Sequence, residues 1–454
     1  GKITNSKNKR LHMASKLVKV KDLSVSFNNN GNIVDVLDNV NFEIEQGTCL
    51  CLVGESGSGK SLSAYSIVDL LPKNAFIKSG KVKFNGVYLT NMPESEKQKI
   101  RGNQIGFIFQ EPLSALNPLF TVGKQIEECL KIHTKLNKKQ RFDKVIQLLE
   151  KVKIDNPKAR FKAYPHELSG GQRQRVCIAM ALANKCRLLI ADEPTTALDV
   201  SVQKEILDLI KELQKENNLS VLFITHDFSV VEEMAQEVAV MQNGKIVEQG
   251  ALKEVLETPK EKYTKKLLSS MPGKNDYLNR NNIRKNILEI KDLNKIFKSK
   301  TSLFKYLKIK AVDNISFNLQ EKQTLAIVGE SGSGKSTLVR CITRLISSDS
   351  GEVNFLGNNL VKANSRQLKK ARRDMQMIFQ DPLDSLNPRM SIIDSVSEGL
   401  IAYKTMPKAE IRPYLEQIFK DCRLQASDLD KLPSEFSGGQ RQRICIAKAI
   451  AMKP

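Results

Sequence analysis

The stretch Gly54-Glu55-Ser56-Gly57-Ser58-Gly59-Lys60-Ser61 decides the fold, and it occurs a second time as Gly329-Glu330-Ser331-Gly332-Ser333-Gly334-Lys335-Ser336. Both copies fit a phosphate-binding loop, G-x-x-x-x-G-K-[ST]. Each follows an apolar run that reads as a buried strand, Thr48 to Val53 and Thr324 to Val328. Each precedes a helix-like segment, from Ser61 to about Leu71 and from Thr337 to about Ile346. The glycines let the backbone wrap an anion with its N–H groups turned inward. The helix that follows, entered through Leu62 in one copy and Thr337 in the other, presents its positive end to the phosphates. Lys60 and Lys335 are then expected to neutralise the β- and γ-phosphates of ATP, and Ser61 and Ser336 to ligate Mg2+. An ordinary glycine-rich turn before a helix is the competing reading, and recurrence of the whole strand–loop–helix unit weighs against it. The chain is expected to bind nucleotide twice.

The bulk numbers bound the rest. A chain of 454 residues, 41% hydrophobic and 27% charged, has material for two or three globular domains. No apolar run is long enough to span a bilayer, so any membrane role is expected to be peripheral. The net charge of +22 admits a nucleic-acid partner, an anionic membrane surface or simply a lysine-rich exterior, and the positive residues form no dominant block. The eight cysteines include no C-x-x-C pair and most sit in apolar segments, which reads as reduced core residues. The four histidines show no metal-ligand spacing.

Along the chain, residues 1–14 read as a basic tail, and strand-like segments follow at Leu23 to Phe27 and Ile33 to Ile44. Asn85-Gly86 inside Val82 to Leu89 is a hairpin signal. Ile105 to Phe109 reads as a short strand ending at Gln110, and Val122 to about Val152 has helical periodicity. Helix and strand then alternate: a helix from Gly171 to Ala183, a strand from Leu188 to Ala191, a helix from Val202 to Leu213 and a strand from Ser220 to Thr225. Such alternation predicts an α/β fold with a parallel sheet flanked by helices. Residues 271–286 form a polar linker, and the order then repeats. Lys60 is matched by Lys335, Gln110 by Gln380 and Gln172 by Gln440, at offsets of 275, 270 and 268 residues, which predicts tandem copies of one domain.

Leu168-Ser169-Gly170-Gly171-Gln172 and Phe436-Ser437-Gly438-Gly439-Gln440, each downstream of a phosphate loop, resemble the signature of ATP-binding cassette proteins. Physically, a serine and two glycines opening a helix make a second anion cradle. The resemblance implies P-loop NTPase cassettes, each with a RecA-like parallel-sheet core, an antiparallel β subdomain and an inserted helical subdomain. It places the first cassette at 15–270 (helical part about 111–168) and the second at 287–454 (helical part about 381–436). It also implies roles. Asp192, ending the apolar strand Leu188 to Ala191, resembles the aspartate on the magnesium side, and Glu193 the general base that activates water. Gln110 and Gln380 resemble the glutamine that senses magnesium, water and the membrane partner, and His226 the switch histidine at the γ-phosphate. Ala197-Leu198-Asp199 resembles the loop coupling two cassettes. Phe27 and Phe297 stand where the family stacks a ring on adenine, although an aromatic at a strand end is as often core. His166 reads as a loop residue rather than a catalyst.

The flanks Phe109-Gln110-Glu111-Pro112-Leu113-Ser114-Ala115-Leu116-Asn117-Pro118 and Phe379-Gln380-Asp381-Pro382-Leu383-Asp384-Ser385-Leu386-Asn387-Pro388 resemble the peptide/nickel importer subfamily, as does Thr258 to Leu268. The fused arrangement is similar to the single-chain ATPases of oligopeptide, microcin and glutathione importers. No cysteine cluster follows Leu268, so the iron–sulfur site of some relatives is not carried over. The resemblance implies two membrane permease subunits, indirectly a solute-binding protein, and a place on the cytoplasmic face of a bacterial inner membrane. It also implies head-to-tail pairing of the cassettes, Lys60, Gln110, Asp192, Glu193 and His226 facing Ser437 to Gln440, and Lys335 and Gln380 facing Ser169 to Gln172. Asp192 lies 20 residues past Gln172, so its counterpart is expected beyond Pro454, which leaves the second cassette without its acidic strand end and poorly folded. A soluble tandem cassette acting on ribosomes or nucleic acid is the alternative. The short polar linker and the lack of inserted zinc-type cysteines argue against it, and intact Glu193 and His226 argue against a non-catalytic regulatory cassette.

Overall fold

The structure is a computed structural model that describes residues 16–29, 31–196, 198–270, 285–302, 305–330, 332–380 and 385–454. The expected basic tail, most of the expected linker, Ser331 and Ala197 lie outside the described residues. The chain divides into two compact units, Gly1–Tyr277 and Leu278–Pro454.

In the first unit, strands β1 (Lys16–Asn29), β2 (Asn32–Glu45), β4 (Ala75–Phe84) and β5 (Val87–Tyr88) form an antiparallel sheet in the order β2-β1-β4-β5. Asn85 and Gly86, both with positive φ, make the two-residue turn between β4 and β5. The central sheet has the order β10-β9-β3-β8-β7-β6, built from β3 (Cys49–Val53), β6 (Ile105–Ile108), β7 (Leu188–Asp192), β8 (Ser220–Thr225), β9 (Glu237–Gln242) and β10 (Lys245–Ala251). It is parallel from β9 to β6, with β10 antiparallel at the edge.

Because successive strand residues point to opposite faces, these continuous apolar runs feed two cores at once. Cys49, Cys51, Val53, Leu189, Ala191, Val221 and Phe223 join one core, and Leu50, Leu52, Leu188, Ile190, Leu222 and Ile224 join the other. The first of these also takes in Val122, Ile126 and Leu130 of the helix Val122–His133 and Val145 and Leu149 of the helix Lys138–Lys151. The helical insertion is thereby packed onto the same sheet that carries the phosphate loop.

The second unit repeats the antiparallel sheet in the order β12-β11-β13-β14, from β11 (Asn286–Ser302), β12 (Lys305–Gln320), β13 (Ser350–Phe355) and β14 (Asn358–Asn359). The helix Lys335–Ile342 packs on it through Leu338, Cys341 and Ile342. A separate core joins the helices Ile392–Ala402, Lys408–Asp421 and Gly438–Ala451 through Val396, Leu400, Leu415, Phe419 and Ile444.

The run Thr324 to Val328, which the sequence predicts as a buried strand, departs from that expectation. Residues 324–328 are not a strand. Leu325, Ile327 and Val328 are 42%, 39% and 86% exposed, whereas Leu50, Leu52 and Val53, their counterparts, are at most 1% exposed. In the first unit the equivalent strand is paired on both sides, by β8 and β9. Among the described residues of the second unit no segment occupies either position, and an apolar run without ladder partners does not become a strand.

Candidate functional site

The site is built where the central sheet ends. β3 delivers the chain into the phosphate loop, which passes into the helix Lys60–Val68. The loop's backbone is set by its glycines. Gly54 (φ 155°) lies so close to the neighbouring strand that a side chain would collide with the Met241 carbonyl. Gly57 (φ 81°) has open space where a side chain would project, and Gly332 in the second unit repeats it (φ 80°). An open, left-handed turn of that kind leaves bare backbone N–H groups that an anion could meet. Lys60 is buried and donates from Nζ to the carbonyls of Gly54 and Glu55, at 2.8 and 2.9 Å. Burial holds its pKa below the usual lysine value, and the nearby carboxylates of Glu193 and Asp192 offset this only in part. Ser58 Oγ is buried without a hydrogen-bond partner.

β7 brings in the acids. Asp192, its last residue, is fully buried and accepts from Ser61 Oγ at 2.9 Å, while its Oδ2 has no hydrogen-bond partner. Burial raises its pKa, and the Ser61 and Tyr65 hydroxyls lower it in part. The next residue, Glu193, adopts φ 46°, a conformation rare outside glycine. Its N–H still bonds Ile224 O at 3.0 Å, so the chain turns without losing the ladder, and its carboxylate faces the loop. That carboxylate receives Gln110 Nε2 at 3.2 Å and Thr196 Oγ1 at 2.9 Å, and lies 3.2 Å from His226 Nδ1. β6 ends just before Gln110, and β8 just before His226.

These groups enclose a cavity of about 510 Å³ lined by Gly54, Glu55, Ser56, Gln110, Glu193, Thr196, His226, Phe228 and Leu267. A neighbouring hollow of about 430 Å³ is lined by Tyr65, Phe109, Gln110, Glu111 and Ala115. Gln110 belongs to both. Two of the rings lining the second hollow, Tyr65 and Phe109, each pack on the ring of Phe107, with centroids 5.4 and 4.5 Å away.

The residues fit a magnesium–nucleotide. Ser61 Oγ and Asp192 are hard oxygen donors side by side, one Asp192 oxygen is left unsatisfied, and no group of three or more His, Cys, Asp or Glu able to hold a metal occurs among the described residues. Mg2+ takes few protein oxygens and completes its shell with phosphate and water.

The second loop shares the geometry: Lys335 Nζ donates to Gly329 O at 2.7 Å and Glu330 O at 2.6 Å. Ser336 and Gln380 are exposed and Thr337 half-buried. The two SGGQ segments are alike. Ser169 and Ser437 cap their helices by accepting from the N–H of Gln172 and Gln440, and each glutamine side chain accepts the N–H of its serine in return. Ser169 to Gln172 lines neither cavity of its own unit. Gly438 and Gly439 face open space. Phe27 is half-buried on β1, and Phe297 is 40% exposed with Lys295 Nζ 5.6 Å from its ring centroid. Thr196, Tyr65, Phe228 and Leu267 join the site without a motif in the sequence to mark them. Leu267 lies in the 258–268 stretch, but nothing in its spacing points at the loop.

Comparison with known proteins follows the same lines. The family described as ABC transporter matches residues 37–196 and 312–454. The chain is 43% identical over 442 residues to the peptidoglycan transport ATP-binding protein YejF of Agrobacterium fabrum (strain C58), covering 96% of this chain and 81% of that protein. It is 43% identical over 446 residues to an uncharacterized ABC transporter ATP-binding protein YejF of Escherichia coli (strain K12), covering 97% and 84%. With the glutathione import ATP-binding protein GsiA of Salmonella choleraesuis (strain SC-B67) it shares 37% identity over 471 residues, covering 96% and 76%.

Proposed function

The chain belongs to the ABC transporter family as an ATP-binding, ATP-hydrolysing component, and from that premise we propose that it energises a permease importing peptides or peptide-like solutes across a bacterial inner membrane. Relatives named for peptidoglycan transport and glutathione import support that solute class over a ribosome- or nucleic-acid-directed role. No helix among the described residues is long and apolar enough to cross a membrane, which fits a peripheral subunit that works through two permease partners. The hollow beside Gln110, walled by Tyr65 and Phe109, is the place for a permease loop.

The observation that carries the chemistry is the Glu193 carboxylate held between Gln110, Thr196 and His226 over the loop cavity. A carboxylate fixed by neighbouring donors is aimed before substrate arrives and needs little reorganisation to orient an attacking water. Glu193 accepts the water proton, His226 and Lys60 face the γ-phosphate, and Gln110 links this group to the permease hollow. Bound at Ser61 and Asp192, magnesium would neutralise charge on the phosphate oxygens. Ser437 to Gln440 of the second cassette closes over the nucleotide held by Lys60, and Ser169 to Gln172 over the one held by Lys335. ATP closure and opening after hydrolysis then move the permease.

The test is Glu193→Gln in a chain whose second loop is silenced by Lys335→Ala. ATP affinity stays within about 2-fold while hydrolysis falls at least about 100-fold, the range for loss of a general base. Undiminished turnover removes Glu193 from its role.

A further inference from the structure

After the sheet's last strand come two helices, Leu252–Glu257 and Lys262–Ser269, and the second is tied at both ends of its first turn. Behind it, the Glu248 carboxylate on β10 accepts the N–H of Lys260 at 2.7 Å and of Glu261 at 3.2 Å, closing the helix's amino end with a negative charge. In front, the Tyr263 hydroxyl oxygen accepts the N–H of Glu55 at 3.2 Å. One turn further along the same face, Leu267 lines the cavity that holds Glu193 and His226.

The Glu55 residue is thus held from both sides. Its N–H is taken by Tyr263, and its carbonyl, with that of Gly54, receives the Lys60 ammonium. The tyrosine fixes the piece of backbone from which Lys60 is hung, and so fixes where that ammonium starts when a phosphate enters.

Resting on the assignment of the first loop as an ATP site, we infer that Tyr263 is a positioning residue for ATP there, acting through the Glu55 backbone and braced from behind by Glu248. The ring of Tyr263 packs against the sheet core whatever its hydroxyl does, so the conservative change separates the two roles. Tyr263→Phe keeps the packing and removes only the acceptor.

The experiment uses the full chain carrying Lys335→Ala, with Lys60→Ala as the reference for a dead first loop. Two quantities are read: hydrogen–deuterium exchange at the Glu55 amide without nucleotide, and ATP binding with the KM and kcat of hydrolysis. In Tyr263→Phe the Tm falls by no more than about 4 °C and Glu55 exchanges faster. ATP affinity falls and KM rises about 3- to 10-fold, the worth of one hydrogen bond, with kcat within about 2-fold because saturating nucleotide restores the loop. Glu248→Ala, which frees the helix end without touching the ring, gives the same pattern. Native exchange at Glu55 together with native ATP affinity in both variants overturns the inference and leaves the ATP site standing. A parent chain whose ATP binding is no stronger than that of Lys60→Ala overturns the site assignment, and the inference with it.

Discussion

At the residue scale the site works against its own stability. Asp192 is a carboxylate taken out of water with one oxygen unsatisfied, and burial raises its pKa above 3.8. Ionising it in the fold therefore costs more than ionising it in the unfolded chain. For a group shifted upward, that cost is absent below the unfolded value, grows as pH rises, and is complete once pH has passed the folded value. Asp192→Asn removes the charge and is expected to raise nucleotide-free stability at pH 7, while abolishing magnesium-dependent hydrolysis. Denaturant melts from pH 7 downward check the sign: the advantage narrows as pH approaches 3.8, and a loss of stability at pH 7 contradicts the account. Lys60, Asp192, Glu193, Gln110 and His226 were legible because each stands at a loop or strand end whose neighbours in sequence already mark it. Thr196 and Tyr65 were not. A threonine three residues past the acid and a tyrosine inside a helix carry no sign of their targets until the strands are assembled. The left-handed turn at Glu193 was equally silent, since nothing in an Asp-Glu-Pro run announces it.

At the element scale the same apolar pattern has two fates. Cys49-Leu50-Cys51-Leu52-Val53 and Thr324-Leu325-Ala326-Ile327-Val328 are near-equivalent in composition, and only the first is a strand. Periodicity reports that a segment would be buried if a sheet were there, and cannot supply the sheet. What separates the two is pairing by β8 and β9, together with roughly 1.5–3 kcal/mol for each large apolar side chain removed from water. Amides of 324–328 are expected to exchange at least about 100-fold faster than those of 49–53, which open only with the core. Equal protection of the two segments in hydrogen exchange contradicts this. The hairpin at Asn85-Gly86, the SGGQ helices and the strand Ser220–Thr225 stood out more readily because turn chemistry, capping and a bounded β-branched run are local signals.

At the scale of the whole molecule, the proposed sharing of nucleotide rests on one feature of each unit. The first unit offers a cavity lined by Gln110, Glu193 and His226, with Lys60 bonded to the Gly54 and Glu55 carbonyls of its rim, and the second offers a capped helix end whose glycines Gly438 and Gly439 face open space. A helix end of that kind supplies N–H groups and positive potential to an anion. Nucleotide shared between the two halves is the central claim. The most direct measurement places cysteines at Ser56, on the exposed rim of the loop, and at Gly438, then follows their coupling by a short thiol cross-linker in the Glu193→Gln chain, with all eight native cysteines replaced. The account predicts rapid cross-linking when ATP and Mg2+ are supplied and little without them. Equal, slow coupling in both conditions contradicts it.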